Sequence, residues 1–167
     1  ADAGAAPRGD VLELGCGRGL PGLWALRNGA ARVAFSDFDS AVLEDLTRAD
    51  AARLSSTGAA FFYAGDWRGL PDALRRDGFG TFPLVLSAET AYREDTAEAL
   101  AAAVAATLAR GGTAYVATKR YYFGCGGGVE ALEKALARFP GLVCEVAWSV
   151  EDGRSNVRDI LRVWWGG

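Results

Sequence analysis

Short apolar runs alternate with stretches of helical periodicity along this 167-residue chain. Residues 10–14 read as a buried strand, and a helix from about 20 to 28 closes at Asn28-Gly29, a natural stop signal. A second strand over 32–36 ends at Asp37. Val42, Leu43, Leu46, Ala49 and Leu54 then share roughly one face of a helix over 40–54. Residues 59–64 form a third strand that stops at Gly65-Asp66-Trp67, and a Gly/Pro-punctuated loop leads to a fourth over 83–87. An alanine-rich helix over 95–109 ends at Gly111-Gly112, and a fifth strand covers 113–118. A last helix over 129–139 precedes two strands, 143–150 and 157–164, joined by the polar turn Glu151 to Asn156. So short a connection requires antiparallel pairing, because a parallel crossover needs a dozen residues or more. The alternation predicts one α/β domain with a seven-stranded, mostly parallel sheet, a terminal antiparallel hairpin and helices on both faces.

Composition narrows the chemistry. Lys and Arg number 18 against 21 Asp and Glu, a net charge of −3 that argues against a dedicated nucleic-acid binder. The chain holds no histidine, which removes Ser-His and Cys-His hydrolases and histidine-ligated metals. Three cysteines, Cys16, Cys125 and Cys144, show no metal-ligand spacing, so no metal is expected and a reducing compartment is the default. The longest apolar run, 100–109, is too short to span a bilayer, so no membrane partner is expected. The start, Ala-Asp-Ala-Gly-Ala-Ala-Pro, lacks an initiator Met and a signal-peptide core, as an excised domain or an incomplete sequence would.

In open α/β sheets ligands sit beyond the carboxyl ends of the strands. After the first strand comes Gly15-Cys16-Gly17-Arg18-Gly19, where Gly15 and Gly17 let the backbone turn sharply and approach a ligand. A dinucleotide fingerprint would need Gly or Ala at position 20, where Leu20 stands. Glu13 would repel a pyrophosphate but can accept from the ammonium of an amino-acid moiety. This combination favours S-adenosylmethionine over a dinucleotide.

Asp37, at the end of the second strand, is placed to accept from both ribose hydroxyls; its alternative is a helix cap, for which Asp39 and Ser40 are better positioned. Asp66 could accept from the adenine amino group, with Trp67 stacked on the ring or simply in the core. Ser87 to Tyr92 follows the fourth strand, where a methyl group would be presented. Glu89 and Tyr92 are the polar catalytic candidates there, against a plain helix entry. Tyr121 to Gly128 suits a substrate-clamping loop, or core aromatics with a glycine cap.

Assembled, these segments resemble the seven-strand, Rossmann-like S-adenosylmethionine-dependent methyltransferases, and more narrowly the protein-histidine methyltransferases. The resemblance runs over nearly the whole chain from Val11. It rests on a Leu-Asp/Glu-Leu-Gly-Cys-Gly motif at Leu12 to Gly17, Asp37-Phe38, Gly65 to Trp67, and Ala88 to Tyr92 against a Ser-Glu-Thr-Ile-Tyr element. Its most specific part is Lys119 with Tyr122 to Gly128, against Lys-x-x-Tyr-Phe-Gly-x-Gly-Gly-Gly.

The resemblance implies methyl transfer from S-adenosylmethionine to a histidine imidazole of a protein, typically a large-subunit ribosomal protein, in cytoplasm or nucleus. It assigns the cofactor to Glu13, Gly15, Cys16, Gly17, Asp37, Phe38, Gly65, Asp66, Trp67 and Ser87. Catalysis falls to Glu89 and Tyr92, and the substrate to Thr90, Tyr122, Phe123 and Gly124. It also implies a methyltransferase domain over residues 1–167 without the family's N-terminal segment. A lysine methyltransferase of the same fold and a non-catalytic S-adenosylmethionine-binding scaffold are the other readings.

Overall fold

The computed structural model describes residues 9–54, 58–151 and 156–167. Its element order is β1 (Gly9–Leu14), α1 (Leu20–Arg27), β2 (Ala30–Asp37), α2 (Ser40–Val42), a π-helical turn (Leu43–Thr47), α3 (Arg48–Ala52) and β3 (Ala59–Ala64). There follow α4 (Leu70–Arg76), β4 (Phe82–Ala88), α5 (Glu94–Thr107), β5 (Leu108–Lys119), α6 (Val129–Leu136), β6 (Leu142–Val150) and β7 (Arg158–Trp165). The strands form one seven-stranded sheet in the order β3-β2-β1-β4-β5-β7-β6. Pairing is parallel from β3 to β5, and antiparallel where β7 joins β5 and β6. The strand order therefore reverses direction between β1 and β4, opening a crevice at their carboxyl ends.

Two apolar clusters explain why both faces are covered. Leu12 and Leu14 of β1 pack with Val85, Val116, Leu161 and Val163 under Leu70, Leu74, Leu100, Val104, Leu132 and Leu136 from α4, α5 and α6. Val11 of β1 turns the other way, with Val33 and Phe35, toward Ala25 and Leu26 of α1 and Leu43. The side-chain period of two along a strand sends neighbouring residues to opposite faces, so a continuous apolar run serves both clusters.

The boundaries differ from the sequence expectation in three places. The Gly/Pro loop contains a helix, α4, which Pro71 opens in the first turn, where a missing N–H costs nothing. Helix α5 stops at Thr107, whose hydroxyl donates to Ala103 O at 2.7 Å. β5 then starts at Leu108, opposite Phe82, so Gly111-Gly112 lies within that strand and does not end the helix. The expected helix over 40–54 is interrupted by the π-helical turn. In the expected hairpin turn, residues 152–155 lie outside the described residues, as do residues 1–8 of the expected domain.

Candidate active site

The glycine loop after β1 is held through its backbone. Gly17 N–H donates to Asp37 Oδ2 at 2.8 Å, and Gly17 O accepts from the Thr47 hydroxyl at 2.5 Å. Thr47 is fully buried at the end of the π-helical turn, and π turns are frequent at functional sites because the extra residue redirects a side chain. Cys16 N–H donates to Ser36 O at 2.9 Å, so loop and β2 remain in register past the end of the ladder. The Cys16 side chain points inward to Thr47, and burial pushes its thiol up to about 12. Its contribution to the site is backbone only.

Asp37 does scaffold work as well. Its Oδ1 accepts from Asp39 N–H at 3.1 Å while Oδ2 holds Gly17; each oxygen keeps a further lone pair. Asp39 caps α2 by accepting from Ala41 N–H at 2.9 Å, so the capping role belongs to the neighbour. Phe38 beside them is 78% exposed, an aromatic face left open next to that carboxylate.

Glu13 lies beneath the loop. It is 2% exposed, and its Oε2 accepts from Gly22 N–H of α1 at 2.8 Å. Burial raises its carboxyl to about 8, against a smaller opposing pull from the Gly22 N–H. Gly65 N–H ties the end of β3 to Asp37 O at 2.9 Å. Asp66 accepts from the backbone and guanidinium of Arg68, which hold its carboxyl below the usual aspartate range. Trp67 packs against the larger apolar cluster, with its ring edge turned toward Gly15. Its Nε1 is buried and has no hydrogen-bond partner among the described residues.

Beyond β4 the chain is locked by Ser87. Its hydroxyl donates to Leu14 O at 2.8 Å and lies 2.6 Å from the Thr90 hydroxyl, all of it buried. Ser87 and Thr90 thereby fasten the β4 end to the β1 end. A Cβ at Gly15 (φ 65°) would stand 2.2 Å from Thr90 Cγ2, so only glycine admits Thr90 there.

Glu89, between these two, is the one non-glycine described residue with positive φ, 57°. A backbone in that region costs of order 1 kcal/mol and clusters at functional sites. The surroundings hold it: Glu89 N–H donates to Ala117 O at 2.8 Å. Its carboxylate accepts from the Tyr122 hydroxyl at 2.7 Å on Oε2 and from Arg158 Nε at 3.3 Å on Oε1. The Lys119 ammonium stands 5.1 Å above the Tyr122 ring. Burial first, and its bond to Glu89 as well, push the Tyr122 phenol up.

Of the residues expected to act on a substrate, the structure joins Glu89 to Tyr122. Tyr92 is exposed, with the Arg93 guanidinium 5.7 Å from its ring centre, and its hydroxyl makes no hydrogen bond to Glu89. The glycine stretch packs on the Tyr92 backbone instead: a Cβ at Gly127 would lie 2.2 Å from Tyr92 C, and Gly128 N–H donates to Ala91 O at 2.8 Å. Phe123 is 83% exposed and meets Tyr121 edge to face at 4.8 Å; Gly124 beside it faces open space. Thr47 and Arg158 were not singled out from the sequence. Neither belongs to a local motif, and Arg158 lies 69 positions from Glu89.

A seven-stranded sheet in this order, with a glycine loop after β1 and an acid after β2, defines a Rossmann-like methyltransferase fold. The chain belongs to the lysine methyltransferase family, whose model matches residues 3–124. It is 32% identical over 154 residues to the histidine protein methyltransferase 1 homolog of Dictyostelium discoideum, covering 92% of this chain and 48% of that protein. The corresponding Mus musculus homolog is 30% identical over 149 residues, covering 74% of this chain and 41% of its own. The chain thus spans about half the length of these curated relatives or less. Among solved structures, a TehB-like SAM-dependent methyltransferase from Corynebacterium glutamicum superposes with a TM-score of 0.65 at 22% identity, covering 94% of this chain and 81% of that one.

Proposed function

We propose that this chain carries the catalytic domain of a protein-histidine N-methyltransferase that uses S-adenosylmethionine. The single observation that carries the reading is Glu89: a carboxylate on strained backbone at the end of β4, one residue from the Thr90 that packs on the glycine loop. The cofactor would supply the methyl group from its sulfonium, with the neutral thioether S-adenosylhomocysteine as the leaving group. Gly15 and Gly17, the spare lone pairs of Asp37, the open face of Phe38 and the unpartnered Trp67 Nε1 fit an adenosine and amino-acid ligand.

On the acceptor side, Glu89 can accept the N–H of a neutral imidazole and so turn the other ring nitrogen outward with its lone pair free. Positioning of this kind supplies much of the acceleration in a displacement whose nucleophile needs no activation. A lysine at pH 7 must first lose a proton, at a cost of about 4.6 kcal/mol. Tyr122, Phe123 and Gly124 would shape the acceptor pocket, with Tyr92 supporting the loop from below. The protein substrate we favour is a large-subunit ribosomal protein.

The test is the pH dependence of methylation of a ribosomal-protein extract by the full-length protein, beside that of Glu89→Gln. Activity should fall at low pH with a midpoint near 6–7, as the acceptor imidazole gains a proton. Glu89→Gln should lower turnover far more than cofactor affinity. Activity still climbing above pH 8 would favour a lysine acceptor, and cofactor binding without any turnover would favour a scaffold.

A further inference from the structure

Glu89 is exposed, and an exposed glutamate ordinarily samples many rotamers. Here two donors from different parts of the fold hold its two oxygens, Tyr122 from the loop after β5 and Arg158 from the start of β7. Both donors keep these distances only if the hairpin keeps its register against β5. That register is pinned from four sides. Arg158 pairs with Lys119 on β5 and Val150 on β6. Arg120 N–H donates to Val157 O at 2.8 Å, and the Asn156 side-chain amide donates to Tyr121 O. Asp159, buried, receives both Arg120 Nε and Nη2 at 2.9 Å and the Ser149 hydroxyl at 2.5 Å.

A slip of one residue would carry Arg158 to the opposite face of the sheet and bring Asp159 out in its place. The ion pair between buried Asp159 and exposed Arg120 sets the hairpin against that slip, and the same contacts fix Tyr121 and hence Tyr122. The antiparallel end of the sheet is therefore connected to the crevice through one guanidinium and one phenol that converge on a single carboxylate.

We propose that Arg158, with Tyr122, is a positioning residue that acts through Glu89, fixing the direction in which the carboxylate's remaining lone pairs meet the acceptor. This rests on the reading of Glu89 as the group that binds the acceptor. The two donors arrive on different oxygens, so the carboxylate plane is defined, and a carboxylate held in plane can hold an imidazole in plane. Lys at position 158 would keep the charge but supply only a point donor, whereas Gln would remove the charge.

The test is a mutant cycle on the full-length protein, with ribosomal-protein extract and labelled S-adenosylmethionine as probes. Arg158→Gln, Arg158→Lys and Tyr122→Phe are each made in the wild-type and the Glu89→Ala background. Arg158→Gln and Tyr122→Phe should each lower kcat about tenfold, the scale of a misplaced reactive group, with cofactor affinity unchanged by calorimetry. Arg158→Lys should recover part of the loss, and Arg158→Gln should not lower the residual rate of Glu89→Ala. Equal losses in both backgrounds, or no loss from Arg158→Gln in the wild type, overturn the positioning role and leave Glu89 in place. Full activity of Glu89→Ala overturns the acceptor reading itself.

Discussion

Thr90 sets its Cγ2 in the space beside Gly15, 2.2 Å from where a Cβ on that glycine would stand. Its hydroxyl meets Ser87 at 2.6 Å, and the residue before it is Glu89. One packing contact therefore joins the glycine loop, on the cofactor side of the crevice, to the carboxylate on the acceptor side. Changes on either side should be felt on the other.

Gly15→Ala tests this contact. The added Cβ must displace the Thr90 methyl and adopt a positive φ, costing about 2–4 kcal/mol from overpacking and backbone together. Thr90→Ser removes the methyl and keeps the hydroxyl for Ser87, so Gly15→Ala/Thr90→Ser should regain the packing part in thermal melts. A single Gly15→Ala with unchanged Tm would show that the contact is slack.

Asp37→Ala removes the acceptor of Gly17 N–H as well as the expected ribose ligand. Cofactor affinity should weaken by about 1.5–3 kcal/mol, and the cofactor-free protein should lose about 1 kcal/mol of stability. The bond to Gly17 makes the residue part of the scaffold as well as a candidate ligand. Calorimetry and urea melts of the same preparation check both numbers.

Glu13 provides a pH signature. Burial raises its carboxyl from an ordinary 4.5 to about 8, so the fold favours the protonated acid. The associated stability is complete below pH 4.5 and is lost as pH rises through about 8, on the order of a few kcal/mol. Melting temperature should decline over that window, and Glu13→Gln should flatten the decline. An identical slope in Glu13→Gln would place its origin elsewhere.

Asp159 works in the opposite direction. The Arg120 hydrogen bonds hold its carboxyl below the ordinary 3.8, so its stabilisation is present above that value and disappears as pH falls further. Asp159→Asn should cost about 1–3 kcal/mol at pH 7, since it leaves a charge-assisted pair half-made. Guanidinium melts at pH 7 and pH 3 should show the difference between variant and wild type shrinking in acid.

Much of this architecture is legible in local pattern. Buried runs such as 11–14 must be strands covered on both faces, and a glycine loop between such a strand and a helix marks the crevice end. The short polar turn before Arg158 requires an antiparallel hairpin. Helix α4 was hidden because its opening proline and the flanking glycines resemble a loop. Thr47 and Arg158 were illegible for another reason: a hydroxyl on a helix and an arginine on a strand carry no local mark. Only the folded register brings them to Gly17 O and Glu89. The sequence pairs Glu89 with Tyr92 three residues on, whereas the folded strand ends bring the Tyr122 hydroxyl to it.

The central claim concerns the atom that receives the methyl group. Ribosomal-protein extract is incubated with the full-length protein and labelled S-adenosylmethionine, hydrolysed to amino acids and read by mass spectrometry. The label should be recovered as methylhistidine, and should fall sharply with Glu89→Ala. Label recovered as methyllysine, with none on histidine, would contradict the claim.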